Sequence, residues 1–259
     1  MTMPIPGLER IDGLRTAPRV VVYAVCWNEA RLLPYFLRHY SWAEKIVIYD
    51  NCSDDGSQEL ASSWPRTEVR SYDTNGQYRE RTLLDIKNHC WKEARGHGID
   101  YVIVVDVDEF VYAENLSEEL NRLRSSGATI IQTNGFEMVA EAFPQTAGQI
   151  TEVVNRGKSS VCYSKCCVFQ PDDILQIKFD PGAHICHPIG AVRWPQSTTL
   201  KLLHMRNLGF AHLRERNAGQ AARLCAENKA KGWARQVETP EDALRGQFDK
   251  LLREAAKVL

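Results

Sequence analysis

The chain has 259 residues, and its 32 Lys and Arg nearly cancel its 33 Asp and Glu to leave a formal net charge of −1. That balance leaves no cationic footprint for nucleic acid or an anionic membrane surface. No apolar run approaches the ~20 residues needed to cross a bilayer as a helix. Hydrophobic and charged shares of 44% and 25% are those of an ordinary globular protein, and the length suits one elaborated domain.

An N-terminal arm is expected over residues 1–18, which hold three prolines, two glycines and no periodicity. Its first residues, Met1 to Gly7, lack the charged start and apolar core of a signal peptide, so a cytoplasmic protein is expected. Arg19 to Val25 reads as a buried strand that ends in Cys26-Trp27-Asn28-Glu29. A helix follows from Ala30 to Tyr40, with Leu32, Leu33, Phe36, Leu37 and Tyr40 at helical spacing and Pro34 in its first turn. A second strand, Lys45 to Tyr49, runs into Asp50-Asn51-Cys52-Ser53-Asp54-Asp55-Gly56, a loop of turn formers and N-cap residues. Next come a helix from Ser57, a strand over Thr67 to Ser71, and a long helix from Tyr78 to Ala94 that Gly96 and Gly98 terminate.

The fourth strand is the most informative. Tyr101-Val-Ile-Val-Val-Asp106-Val-Asp108-Glu109-Phe110 sets four β-branched residues in a row, the pattern of a strand buried on both faces. Two aspartates at its end would sit in the crevice where open α/β sheets bind ligands. At i and i+2 they point to the same side, within reach of one hard divalent cation. The order β-α-β-α-β-α-β implies a mostly parallel sheet with right-handed crossovers. No G-x-G-x-x-G follows the first strand and no P-loop exists, so a dinucleotide fold and a P-loop NTPase lack support.

Beyond residue 110 the pattern predicts a helix over Ser117 to Arg124 and a strand over Thr129 to Thr133. Ser160 to Phe169 and Ile174 to Phe179 read as a strand pair joined by Gln170 to Asp173, and Leu200 to His204 as a further strand. The tail is helical, Leu213 to Lys231 and Pro240 to Val258, with charges on the solvated face and apolar stripes suited to the core or a second subunit. Of eight cysteines, Cys26, Cys52, Cys90 and Cys225 are scattered. Cys162, Cys166, Cys167 and Cys186 lie near His184 and His187, but there is no C-x-x-C pair, and structural zinc is disfavoured.

Three segments, Val25-Cys-Trp-Asn28-Glu29-Ala30, Ile48-Tyr-Asp50-Asn51-Cys-Ser53-Asp54-Asp55-Gly56 and Asp106-Val-Asp108-Glu109-Phe110, resemble in order and spacing the signatures of GT-A glycosyltransferases. Within these the match is to the family 2-like group, near the family 92-type enzymes, and it covers roughly residues 19–135. The resemblance implies an α/β, Rossmann-like GT-A fold: a mostly parallel twisted sheet flanked by helices, with a C-terminal helical extension. It divides the chain into a catalytic domain over 19–207 (nucleotide-binding half 19–110, acceptor half 111–207) and an extension over 208–259.

The activity implied is metal-dependent transfer of a sugar from a nucleoside diphosphate, UDP by preference, to a hydroxyl of a small or oligosaccharide acceptor. Asp106 and Asp108 would hold Mn²⁺ or Mg²⁺ and, through it, the leaving diphosphate. Asn28 and Glu29 would wrap the nucleoside, Asp50 would contact the base with Asn51 and Ser53 in support, and Arg81 and Asn88 would face the same crevice. A late histidine would complete the metal site: His184 first, His204 second, with His187 structural. For the base that takes the acceptor's proton, Glu137 and Asp180 are candidates by position, with Glu109 beside the metal. The resemblance implies inversion, but the acidic pair usual in family 2 is missing, which leaves the base open and retention as an alternative. No nucleic-acid partner and no membrane-spanning segment are expected, and the terminal helices offer a homodimer surface. Two other readings are a sugar-nucleotide-forming nucleotidyltransferase, which would carry an early glycine-rich basic loop, and a non-catalytic binding module, for which an intact D-x-D has no use.

Overall fold

The computed structural model describes residues 17–259, so the arm expected over 1–18 lies outside the described residues except at its last two positions. In chain order the elements are β1 (Val20–Cys26), α1 (Leu33–His39), β2 (Lys45–Asp50), α2 (Ser57–Ser62), β3 (Thr67–Ser71), α3 (Glu80–His89), β4 (Tyr101–Asp106), β5 (Glu109–Tyr112), α4 (Leu116–Ser125), β6 (Ile130–Ile131) and β7 (Asn134–Ala140). Then follow α5 (Ile150–Val153), β8 (Arg156–Ser159), β9 (Val168–Phe169), β10 (Ile174–Gln176), β11 (Ile189–Gly190), β12 (Lys201–Leu208), α6 (Phe210–Ala222), α7 (Ala226–Lys231), α8 (Glu241–Glu254) and β13 (Ala256–Lys257).

The main sheet has the order β3-β2-β1-β4-β9-β6. Its first four strands are parallel, and β9 pairs antiparallel with both β4 and β6. Strand β1 explains why the sheet needs cover on both sides. Its even residues, Val20, Val22 and Ala24, pack with Leu33 and Phe36 of α1. Val21 and Tyr23 pack with Trp91 and Phe169 on the opposite face. The result is the expected mixed α/β architecture, a parallel sheet flanked by helices with further helices at the C-terminus.

Register sets the site. Cys26 pairs with Asp50 across β1–β2, and Val25 with Asp106 across β1–β4, so the C-terminal ends of three strands finish level. A second sheet, β13-β8-β7-β12-β5, meets that edge. In it Glu109, His204 and Glu137 form one cross-strand row over β5, β12 and β7.

Several boundaries differ from the sequence pattern. Helix α1 starts at Leu33 rather than Ala30, with Pro34 in its first turn. The helix expected to Ala94 is α-helical to His89 and tightens into a 3₁₀ turn over Cys90–Ala94. The expected hairpin of 160–169 with 174–179 does not form. Residues Val161–Tyr163 are a 3₁₀ turn, β9 joins the main sheet, and β10 pairs with β11 instead. The helix expected over 213–231 is broken at 223–225 into α6 and α7. Helix α4 is capped by Asn115, whose side chain accepts from the Glu118 N–H at 3.2 Å, two residues earlier than the Ser117 cap expected.

Candidate active site

The level strand ends open into a crevice of about 370 Å³, walled by the loops after β1, β2 and β4, one face of α3, residues 162–165, β12 and α6. Its position, beyond the carboxyl ends of parallel strands, follows from the crossovers that place helices on the sheet faces.

Asp106 closes β4, and both of its oxygens sit against the Lys87 ammonium, at 2.7 and 2.8 Å. Lys165 lies 3.9 Å from Asp106 and 2.5 Å from Glu109, whose carboxylate also accepts the Asp106 backbone N–H at 3.0 Å. Burial opposes the charge on Asp106, but Lys87 and Lys165 outweigh it and hold the carboxyl below its usual range. Lys165 is itself buried, which disfavours its charge, yet Glu109 and Asp106 raise its pKa.

Asp108 sits in the turn to β5 and is only 2% exposed. Arg216 of α6 reaches its Oδ2 at 2.9 Å, and the same guanidinium donates to Glu29 at 2.6 Å. His204 Nε2 stands 3.4 Å from that Asp108 oxygen, and the imidazole stacks on Tyr163 with centroids 4.2 Å apart. Burial works against ionising Asp108, and the charges of Arg216 and Lys165 overcome it, so the carboxyl is held low. Burial also keeps His204 neutral, with its pKa lowered despite Asp108. Glu29 goes the other way: burial pushes its carboxyl up to about 7, against the pull of Arg216. One of its oxygens is buried with no hydrogen-bond partner.

Gly135 makes part of this possible. A Cβ there would sit 2.2 Å from the Tyr163 carbonyl carbon, so only glycine lets the segment carrying Tyr163 and Lys165 cross β7 so closely.

The loops after β1 and β2 are tied to each other. Asn28, at φ 52°, donates to Asp54 at 2.6 Å and accepts its N–H at 3.0 Å, while the Asn28 N–H reaches Ser53 Oγ at 2.8 Å. Asp50 accepts from the Ser53 N–H at 2.8 Å, the Ser53 hydroxyl at 2.6 Å and Gln58 at 2.6 Å. Asn28, Asp50 and Ser53 therefore shape the loops from behind, and of this group Asn51 and Glu29 line the crevice. Asn51 Oδ1 accepts from Thr74 and from Arg223, whose guanidinium lies 3.7 Å over the Trp27 ring. Both Trp27 and Arg223 face the crevice.

The structure thus brings Glu29, Asn51, Asp106, Asp108, His184 and His204 to one crevice. His184 lies at its rim, with Nδ1 2.6 Å from the Cys162 carbonyl. Other expected site residues fall elsewhere. Arg81 is exposed and paired with Glu227 at 2.9 Å, because its side of α3 faces α7. Asn88 accepts the Phe179 N–H at 2.8 Å and so anchors a loop. Asp180 is half-exposed and held by His187 at 3.1 Å. Glu137 lines a second, smaller cavity, where Asn207 donates to it at 3.1 Å.

Five basic residues of the crevice carried no role in the sequence reading: Lys87, Lys165, Arg206, Arg216 and Arg223. For Lys87 a signal existed, since Glu80, Leu83 and Lys87 share one face of α3 at i, i+3 and i+7. Arg216 likewise follows Leu213 on the inward face of α6.

Among the described residues no three His, Cys, Asp or Glu side chains form a ready ligand set. The donor chemistry of Asp108 and His204 nevertheless suits a divalent cation. Their 3.4 Å spacing is close to the ~3 Å edge of an octahedron with ~2.1 Å ligand distances, and the imidazole is in the neutral, ligating form.

No protein-family model matches the chain. A crystal structure of S. aureus TarS is similar to it at 13% identity and a TM-score of 0.43, over 79% of this chain and 41% of that one. A second, of S. aureus TarS 1-349, is similar at 11% identity and a TM-score of 0.39, over 79% of this chain and 68% of that one. The chain spans less than half the length of the first.

Proposed function

We propose that the chain is a glycosyltransferase that moves a sugar from a nucleoside diphosphate, UDP by preference, to an acceptor hydroxyl. The observation that carries this reading is the meeting of the D-x-D aspartates with five cationic side chains in one crevice at the strand ends. Such a crevice suits a ligand that is anionic along its length and leaves as an anion. Arg206 and Arg223 support it further, since neither has a carboxylate partner among the described residues.

In this reading Trp27 and Arg223 form a stacked wall for the nucleoside, with Asn51 at its edge. Lys87 and Lys165 fix Asp106, and Arg216 fixes Asp108 and Glu29, so the carboxylates meet the substrate already oriented. Asp106, Asp108 and His204 would hold a Mn²⁺ or Mg²⁺ ion, which when bound supplies positive charge to the leaving diphosphate. The acceptor O–H gives its proton to a carboxylate, its oxygen bonds the anomeric carbon, and the diphosphate departs with the electron pair of the broken C–O bond. Glu137 is the better placed of the two candidate bases, because its cavity adjoins the crevice while Asp180 faces outward on His187. Attack from the side opposite the diphosphate makes the transfer inverting.

The test is release of nucleoside diphosphate from a panel of UDP-, GDP- and dTDP-sugars with Mn²⁺ present. Hydrolysis of a UDP-sugar above the metal-free rate is the expected result. Failure of every donor in the panel, with and without acceptors, would sink the reading.

A further inference from the structure

A second cavity, of about 220 Å³, lies between β7, β12, α6 and α8, and it shares Arg206 and Gln236 with the main crevice. Its walls divide by chemistry. Leu213, Leu244 and Phe248 give one apolar side, while Glu137, Asn207 and Gln247 give a polar one. The junction is held in place: Arg206 donates to Asn217 at 2.8 Å, and Asn217 is 3% exposed with its amide nitrogen left without a partner. Asn207, 5% exposed, is likewise fixed on Glu137.

We propose that this cavity is a binding site for a pyranose ring, the sugar end of the acceptor. A pyranose has an apolar C–H face and a rim of hydroxyls that both donate and accept. The cavity offers the matching surfaces: a leucine and phenylalanine wall for the ring face, and carboxylate, amide and guanidinium groups for the rim. A purely apolar ligand would bury the polar wall with only the Asn207–Glu137 and Arg206–Asn217 contacts to satisfy it, and a highly charged one would meet only one acid and one base. The word acceptor rests on the glycosyl-transfer reading, because it is the shared wall at Arg206 and Gln236 that leads from this cavity to the donor. Recognition of a sugar ring does not rest on that reading.

Saturation-transfer NMR on the full chain, with methyl glucoside, galactoside, mannoside and N-acetylglucosaminide as probes, tests the site. UDP with Mn²⁺ serves as a separate probe of the main crevice. Gln247 is exposed on α8, so Gln247→Trp fills the mouth of the cavity without altering the fold or the donor crevice. At least one glycoside is expected to bind the wild type and to bind Gln247→Trp roughly tenfold more weakly, while the UDP signal is the same in both. No glycoside signal from the wild type, or an undiminished one from the variant, overturns the proposal. So does a folded Gln247→Trp, judged by circular dichroism, that loses the UDP signal as well. A wild type that binds a glycoside but not UDP refutes the donor reading and leaves the sugar site standing.

Discussion

At the scale of single residues, Glu29, Asp106 and Asp108 are each held by a largely buried cation. Glu29, Asp108 and Arg216 illustrate it: one guanidinium late in the chain serves two buried carboxylates from its first half, and the Arg216–Glu29 contact spans 187 positions. No local periodicity records such a contact, which is why the acids of the site were legible in the sequence and their partners were not. Asp106 and Asp108 announced themselves by ending an apolar strand, whereas Arg216 lay in a helix whose charges all read as solvated. Removing the shared cation leaves two carboxylates buried without compensation. Arg216→Met is therefore expected to lower stability by about 3 kcal/mol, measured by urea denaturation with the unfolding slope unchanged. A loss within ±0.5 kcal/mol, ordinary for a surface site, would show that the triad does not form.

At the scale of elements, the strands of residues 19–110 were readable because β1, β2 and β4 are largely buried on both faces and carry apolar runs between their ends. The region between residues 150 and 190 was not, since its strands are two to four residues long and take partners by tertiary contact. Helix α6 was visible as a helix but not as a wall of the site. It comes close because Gly219 faces the Trp27 ring, where a Cβ would stand 3.2 Å from the nearest ring carbon. A larger side chain must push Trp27 from its place under Arg223. Gly219→Leu is expected to weaken UDP binding roughly tenfold while the helix content by circular dichroism stays the same. UDP affinity equal to wild type would separate α6 from the nucleoside pocket.

At the scale of the whole molecule, stability is tied to pH through buried histidines. His39 packs against Tyr40 and Phe110 and contacts the Val111 carbonyl at 2.9 Å. Burial pulls its pKa down to about 4, from an unfolded value near ~6.5. The unfolded chain thus binds a proton that the folded chain refuses. The stabilisation is complete above pH ~6.5 and is lost as pH falls towards 4. His39→Gln is expected to make the fall in stability between those pH values shallower by up to about one proton, or ~1.4 kcal/mol per pH unit. An identical pH slope for both proteins would mean that His39 titrates normally. Among the described residues no helix is long and apolar enough to cross a membrane.

In the proposed reading, Asp106 and Asp108, which face the crevice at the ends of the parallel strands, would hold a cation for a departing diphosphate. Calorimetric titration of UDP into the wild type and into Asp108→Asn, each with Mn²⁺ and with EDTA, addresses that role most directly. The account predicts binding that Mn²⁺ strengthens at least tenfold in the wild type and leaves unchanged in Asp108→Asn. Equal strengthening by Mn²⁺ in both proteins would contradict it.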